Sequence, residues 1–409
     1  MNTLNKDELI KTDVSTKLTV DGITSTYSVY KVKLDKLYYN DQNDRIATWI
    51  SKYKADNELT EFNLSNLEEY NNVIGDFIKR SDEKAFKKTK NNIFALGQME
   101  PAVILDDGRI IDGNRRFTCL RELAKEDAKF NYLDAIILNK DIKDNKKEIK
   151  LLELYLQHGR QERVGYNPID RLVGVYNDIV KNNLITIDEY AKNTEQSVLD
   201  IKKMVDRAKL MVEFLEFIEM PEHFYLAREW ELDGPLGEIN AVLNKAKSEE
   251  DRIDLKSIIF TYMAIKPDGD MTRFIRNIKR VINTTQYEPF KNENLEIAEQ
   301  LLEKFDTDKE INVEFIKEEV RGDEGLRKDL KDSYDKYQEK VKKRNSLNAP
   351  KNQIEKAIDA LQNIDFDIVM RLNDESDYPQ FLNALETLEK EFNKLKKEVY
   401  GFDSNKNES

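Results

Sequence analysis

The sequence predicts an α+β N-terminal domain followed by an all-α remainder, helix-dominated overall. Two observations carry this. Short β-branched or apolar segments bounded by Asp, Asn or Gly gather in the first 148 or so of 409 residues, and beyond them the apolar residues fall at helical spacing. Charged residues make up 35% of the chain against 39% hydrophobic, enough apolar material for real cores, with a surplus of charge that points to long solvated helices. The length suggests roughly two to three units at about 150 residues each.

Composition also excludes. With 66 Lys+Arg against 79 Asp+Glu the net charge is −13, so the mean field repels nucleic acid and anionic membrane, and any nucleic-acid contact needs a local basic patch. No apolar run approaches the ~18 residues needed to span a bilayer. The N-terminus lacks a signal peptide's apolar core. The lone cysteine, Cys119, and two separated histidines, His158 and His223, exclude an internal disulfide and a Cys/His zinc site. The expectation is a soluble cytoplasmic protein with no membrane partner.

In chain order, strands are expected over 16–20, 26–34, 102–105, 109–111 and 133–138, with a polar helical insertion over about 46–90. Helices with short turns follow over 149–220, and strongly charged helices over 221–400. Trp230 reads as a core anchor. Arg273, Arg276, Lys279 and Arg280 read as the solvated face of a basic amphipathic helix. Leu326, Leu330, Tyr334, Tyr337 and Val341 draw one apolar stripe, and Leu382, Leu385, Leu388, Phe392, Leu395 and Val399 another. These serve either an intrachain bundle or self-association through a coiled coil. Asn348-Ala349-Pro350 and Asp377-Tyr378-Pro379 look like helix starts. The polar tail 401–409 is expected to be disordered.

The segment 96–123 carries the chemistry. Asp106-Asp107-Gly108 turns a β-hairpin, Asp112-Gly113-Asn114 breaks its second strand, and a helix follows that buries Phe117, Leu120, Leu123 and Ala124. Arg115 and Arg116 fall in its first turn, where the helix dipole disfavours cations by about 0.3–1 kcal/mol. Free N–H groups, a glycine and two guanidiniums suit phosphate oxygens. The alternative is a surface turn whose arginines pair with Asp112 or Glu122.

Pro101, the Asp-Gly hairpin and Ile110-Ile111-Asp112-Gly113-Asn114-Arg115-Arg116 resemble the N-terminal domain of the ParB/sulfiredoxin superfamily. ParB commonly has Gly-Glu-Arg-Arg here, and Asn114 replaces its Glu. Leu34-Asp35-Lys36-Leu37 with Asn40, Asn43 and Arg45 resembles the family's first box. The resemblance implies a bound nucleoside triphosphate, CTP or ATP, with its phosphates at Gly113, Asn114, Arg115 and Arg116 and with Arg45 and Gln98 lining the pocket. Arg163 ahead of Asn167-Pro168 is similar to a second ParB box. Its Glu-Asn pair, which helps hold Mg²⁺ and phosphates in ParB, falls on Gly159-Arg160, leaving Glu153 and Gln157 as stand-ins. Sulfiredoxin's cysteine would fall at Asn114, so Cys119 is read as buried and not redox-active.

Thr186 caps a short helix, Ala191 permits a close crossing, and a turn at 193–195 leads to a helix through Ile201, Met204, Val205 and Ala208. This resembles the ParB helix-turn-helix, with Ser197, Asp200, Lys202, Lys203 and Arg207 facing DNA. Residues 150–219 hold ten basic and twelve acidic side chains, so the unit as a whole is not basic. The resemblance implies a nucleotide-domain over 1–148, a helix-turn-helix domain over 149–220 and a helical region over 221–400. Its function would be nucleotide-dependent DNA binding on a chromosome, plasmid or mobile element. The C-terminal region would pair with a second copy or a helical partner. Two rivals stay open: an enzyme (nucleotide hydrolysis, phosphotransfer or nuclease, with Glu100, Asp112 and Glu153 as its carboxylates), or a protein-interaction module that has lost DNA. No catalytic residue is assigned.

Overall fold

The computed structural model describes the chain except residues 1–3, 6, 8, 21–22, 140–141, 159–166, 268, 308, 371, 373–376 and 407–409, and the side chains of 142–145, 157–158 and 401–406. The expected fold class is the one observed. A five-stranded mixed sheet, β1 Ile10–Val20, β2 Ile23–Lys33, β3 Ala102–Leu105, β4 Ile110–Asp112 and β5 Tyr132–Leu138, has the order β1-β2-β5-β3-β4. Only β3 and β5 run parallel, in register Ala102↔Ala135 to Leu105↔Leu138; the other neighbours are antiparallel. β1 starts six residues before the expected strand. Its early residues are mostly exposed, Ile10 and Val14 included, so it is cross-strand pairing with β2 and not burial that extends it.

Helices α1 Ala47–Asp56, α2 Leu67–Ser81 and α3 Glu83–Leu96 fill the insertion, and α4 Asn114–Ala124 follows β4. Asn66 and Asp82 cap α2 and α3 by accepting from backbone N–H groups. One core cluster joins these helices to the sheet through Tyr39, Ile74, Phe86, Ile104, Phe117 and Leu120. A second, on Val29, Val103, Ile111 and Ile136, packs α5 Ile142–His158 by Ile149, Leu152 and Leu156.

Then come α6 Pro168–Val175, continued by a π-helical turn over Tyr176–Lys181, α7 Ile187–Thr194, α8 Val198–Phe217, α9 Phe224–Glu229, α10 Asp233–Leu243, α11 Glu249–Ile265, α12 Met271–Ile282, α13 Tyr287–Glu303 and the short α14 Val313–Phe315. Trp230 is buried, with the Arg321 guanidinium 3.4 Å from its ring centroid. Arg276 and Lys279 of α12 share Glu238.

Residue contacts divide the chain into two units, 1–338 and 339–409. The long helix α15 Glu324–Gln362 contributes to each, and α16 Phe366–Val369 and α17 Asp377–Lys406 lie in the second. The stripe Leu326, Leu330, Tyr334, Tyr337 and Val341 is buried, whereas Leu382, Leu385, Leu388, Phe392, Leu395 and Val399 are exposed. Two expectations need correction here. Pro350 does not start a helix but sits inside α15. An interior proline costs about 3 kcal/mol and the nearby Asn348 and Asn352 are weak helix formers, so the helix is held by the helix-favouring stretches further out, 336–344 and 353–361. α17 begins at Asp377 as expected but runs on to Lys406, into the tail read as disordered, because extending a formed helix needs no new nucleus. Among the described residues no helix is long and apolar enough to cross a membrane.

Candidate functional site

The break after β4 is set by Gly113, whose φ of +107° favours glycine and whose Cβ, if present, would lie 2.7 Å from the Ala102 Cβ. As N-cap of α4 it offers no side chain to the first-turn N–H groups. The next residue, Asn114, is only 8% exposed, and its Oδ1 lacks a hydrogen-bond partner within the protein. Arg116 donates through Nη2 to Asp112 at 2.9 Å and through Nη1 to Glu100 at 3.0 Å, while its Nε is buried without an acceptor. The surface-turn alternative is thus met for Arg116 and Asp112. Glu122 is not involved, being held by Lys79 and Lys90 of the insertion. Among the described residues Arg115 meets a single carboxylate, Asp82, at 3.7 Å. Burial, with the neighbouring Arg45 guanidinium adding to it, holds its pKa below the ordinary value against the pull of Asp82.

A cavity of about 900 Å³ opens at this turn, lined by Asn43, Arg45 and Gly113 to Arg116 on one side and by α2, α3 and the segment 97–100 on the other. Arg45, in the short 3₁₀ turn Asp44–Ile46, and Arg115, in α4, both line this cavity although they are seventy residues apart in sequence. Gln98 also lines the cavity, but both ends of its amide are engaged on backbone: Nε2 donates to Glu100 O and Asp134 O, and Oε1 accepts from Asp134 N. It braces the cavity wall against β5.

Glu153 lies elsewhere. It is buried in an ion cluster where Lys150 Nζ sits 2.9 Å from Asp44, 3.2 Å from Asp178 and 3.9 Å from Glu153, and where Asn40 donates to Glu153 at 3.2 Å. It does not line the cavity, so its proposed exchange for the ParB Glu-Asn pair has no geometric support. The side chain of Gln157 and the whole of Arg163 lie outside the described residues. Among the described residues no group of three or more His, Cys, Asp or Glu is arranged to hold a metal ion. Cys119 is fully buried and desolvation pushes its thiol up to about 12, which removes the thiolate that redox chemistry needs.

The second candidate surface is a helix–turn–helix. α7 opens with a complete Thr186/Glu189 capping box, and Glu195 takes the left-handed conformation (φ 52°) at the turn where glycine is usual. Ser197 caps α8 and donates to Asp200 at 2.7 Å, and Asp200 lies 3.8 Å from Lys203. Ser197, Asp200, Lys202 and Lys203 are exposed together at the start of α8. Arg207 is not with them. Half-buried, it packs beside Gly237 and lies 3.8 Å from Asp233, both on α10.

Sequence reasoning missed the polar seam beside the cavity. Asp170, in the first turn of α6, accepts from Thr48 N and Oγ1 and from Arg228 Nη1. Gly174 of α6 packs so tightly on Asp44 that a Cβ would fall 2.4 Å from its Cγ. The missed signal was the repeated placement of acids among apolar helix positions, as in Pro168-Ile169-Asp170-Arg171-Leu172.

No family model matches the chain, and no curated protein matches it. Among solved structures it is similar to a Pnob8-like ParB-N domain, at 12% identity over 77% of this chain and 97% of that chain, with a TM-score of 0.30. It is also similar to the C-terminally truncated chromosome-partitioning protein ParB from Caulobacter crescentus complexed with CTP-γ-S, at 13% identity over 56% of this chain and 96% of that chain, with a TM-score of 0.20. The class that the chain's own geometry defines is an α+β domain with a cavity lined by Arg45, Arg115 and Arg116, followed by helices that include a capped helix–turn–helix. The two similar structures are both of ParB proteins, the family that the turn at Gly113–Arg116 resembles.

Proposed function

We propose that this chain binds a nucleoside triphosphate, CTP or ATP, at the head of α4 and that occupancy controls DNA binding by the helix–turn–helix. The nucleotide domain spans 1–148 and the helix–turn–helix domain 149–220. The observation that carries this reading is Arg115 beside Arg45 on a 900 Å³ cavity, with Asp82 its one carboxylate partner among the described residues. Phosphates supply the missing counter-charge and meet the uncapped N–H groups of α4. The Nη1 bond of Arg116 to exposed Glu100 is worth about 0–1 kcal/mol and exchanges readily for a phosphate oxygen. The orphaned Asn114 Oδ1 suits a hydroxyl donor of the same guest.

For DNA, Lys202 and Lys203 are the backbone-contacting cations and Ser197 and Asp200 stand nearest to base edges. The buried seam supports coupling: Asp44 stands between the lining residues Asn43 and Arg45, and its carboxylate holds Lys150 of α5 against the π-helical turn that leads to α7. The exposed apolar stripe of α17 supports self-association or a helical partner. A gel-shift titration against DNA with and without CTP or ATP tests the proposal. A nucleotide-dependent shift that Lys202→Glu with Lys203→Glu abolishes is expected, and DNA affinity indifferent to both nucleotides would refute the coupling.

A further inference from the structure

Resting on that reading of the cavity, we infer that α3 is the wall that selects the nucleobase, with Thr89 and Asn92 as its reading residues. α3 carries Lys84, Lys87, Lys88 and Lys90, yet none of the four lines the cavity; the helix presents Thr89, Asn92 and Ile93 instead. A wall built for more phosphate would present its lysines. A neutral wall of hydrogen-bonding groups beside apolar surface is what a base edge and face require.

The spacing suits this division. Asp82, which caps α3, marks the guanidinium end through Arg115. Thr89 and Asn92 lie seven and ten residues further on, about 10 and 15 Å along the helix axis. That distance accommodates a phosphate chain followed by its nucleoside. Thr89 Oγ1 already donates to Ala85 O at 2.8 Å, so it is poised to accept from an exocyclic amine, whereas the exposed Asn92 amide offers both donor and acceptor. Ile78 and Ile93 supply apolar contact for the ring. The insertion thus distinguishes a nucleotide from inorganic polyphosphate.

Calorimetry of the full chain with inorganic tripolyphosphate and with each of CTP, ATP, GTP and UTP tests this. The wild type should bind at least one nucleotide about tenfold or more tighter than tripolyphosphate. Asn92→Ala and Thr89→Val should each erode that preference about five- to tenfold while leaving tripolyphosphate binding unchanged. Equal affinity of the wild type for tripolyphosphate and all four nucleotides, or unaltered nucleotide preferences in both variants, would overturn the inference while sparing the phosphate site. Absence of binding by every one of these ligands would instead defeat the nucleotide reading itself.

Discussion

The ammonium of Lys150 lies 2.9 Å from the carboxylate of Asp44, with both groups closed off from solvent. Burial works against the charge on Lys150, but Asp44, Glu153 and Asp178 outweigh it and hold its pKa well above the ordinary value. One cation therefore serves three buried acids. Lys150→Met should destabilise the protein by about 3–5 kcal/mol, because it removes the buried cation that Asp44, Glu153 and Asp178 share. Urea denaturation of the variant against wild type measures the loss.

The same cluster sets a pH dependence. Desolvation pushes Asp178 up to about 7 despite Lys150, and it pushes Asp170 up to about 6 despite Thr48 and Arg228. The folded protein thus keeps protons that the unfolded chain releases near the ordinary aspartate pKa of about 4. Stability from these groups is present at low pH and is lost as pH rises from about 4 to 7. Denaturation midpoints should fall between pH 5 and pH 8, and Asp178→Asn should flatten that fall.

Gly113 is predicted to tolerate no side chain. Gly113→Ala places a Cβ against Ala102 at a φ that L-residues rarely adopt, and it should cost about 1–3 kcal/mol. A lowered thermal midpoint, with weaker phosphate binding in the same variant, is the expected result.

The two arginines should separate on mutation. Arg116 is clamped by Asp112 and Glu100, so Arg116→Ala should lower stability as well as anion binding. Arg115→Ala, which removes a cation crowded by Arg45, should leave stability within about 0.5 kcal/mol of wild type and lose anion binding. Thermal melts paired with tripolyphosphate titration distinguish them.

Much of this architecture is local in origin and so was legible in the sequence. The Asp107-Gly108 hairpin, the Asn167-Pro168 start of α6 and the Thr186 capping box need only their own neighbours to form. The turn into α4 was legible for the same reason, since Gly113, Asn114, Arg115 and Arg116 are contiguous. What escaped depends on tertiary burial. Asp44, Lys150 and Asp178 look like solvated charges one at a time, and they become a cluster only when α5 and the π-helical turn close over Asp44. Arg207 reads as a DNA-facing cation on helical spacing alone, yet α10 packs beside it. Pro350 shows the reverse, a local helix-start signal overridden by a helix that was already running before it.

The central claim is that Arg115 and Arg45 face the cavity to take a nucleotide's phosphates. Isothermal titration of CTP and ATP into wild type and Arg115→Ala tests it directly. Saturable binding of one nucleotide by the wild type, weakened about tenfold or more in a variant of unchanged melting temperature, is the expected result. Binding that Arg115→Ala leaves intact, or no binding of either nucleotide, would contradict it.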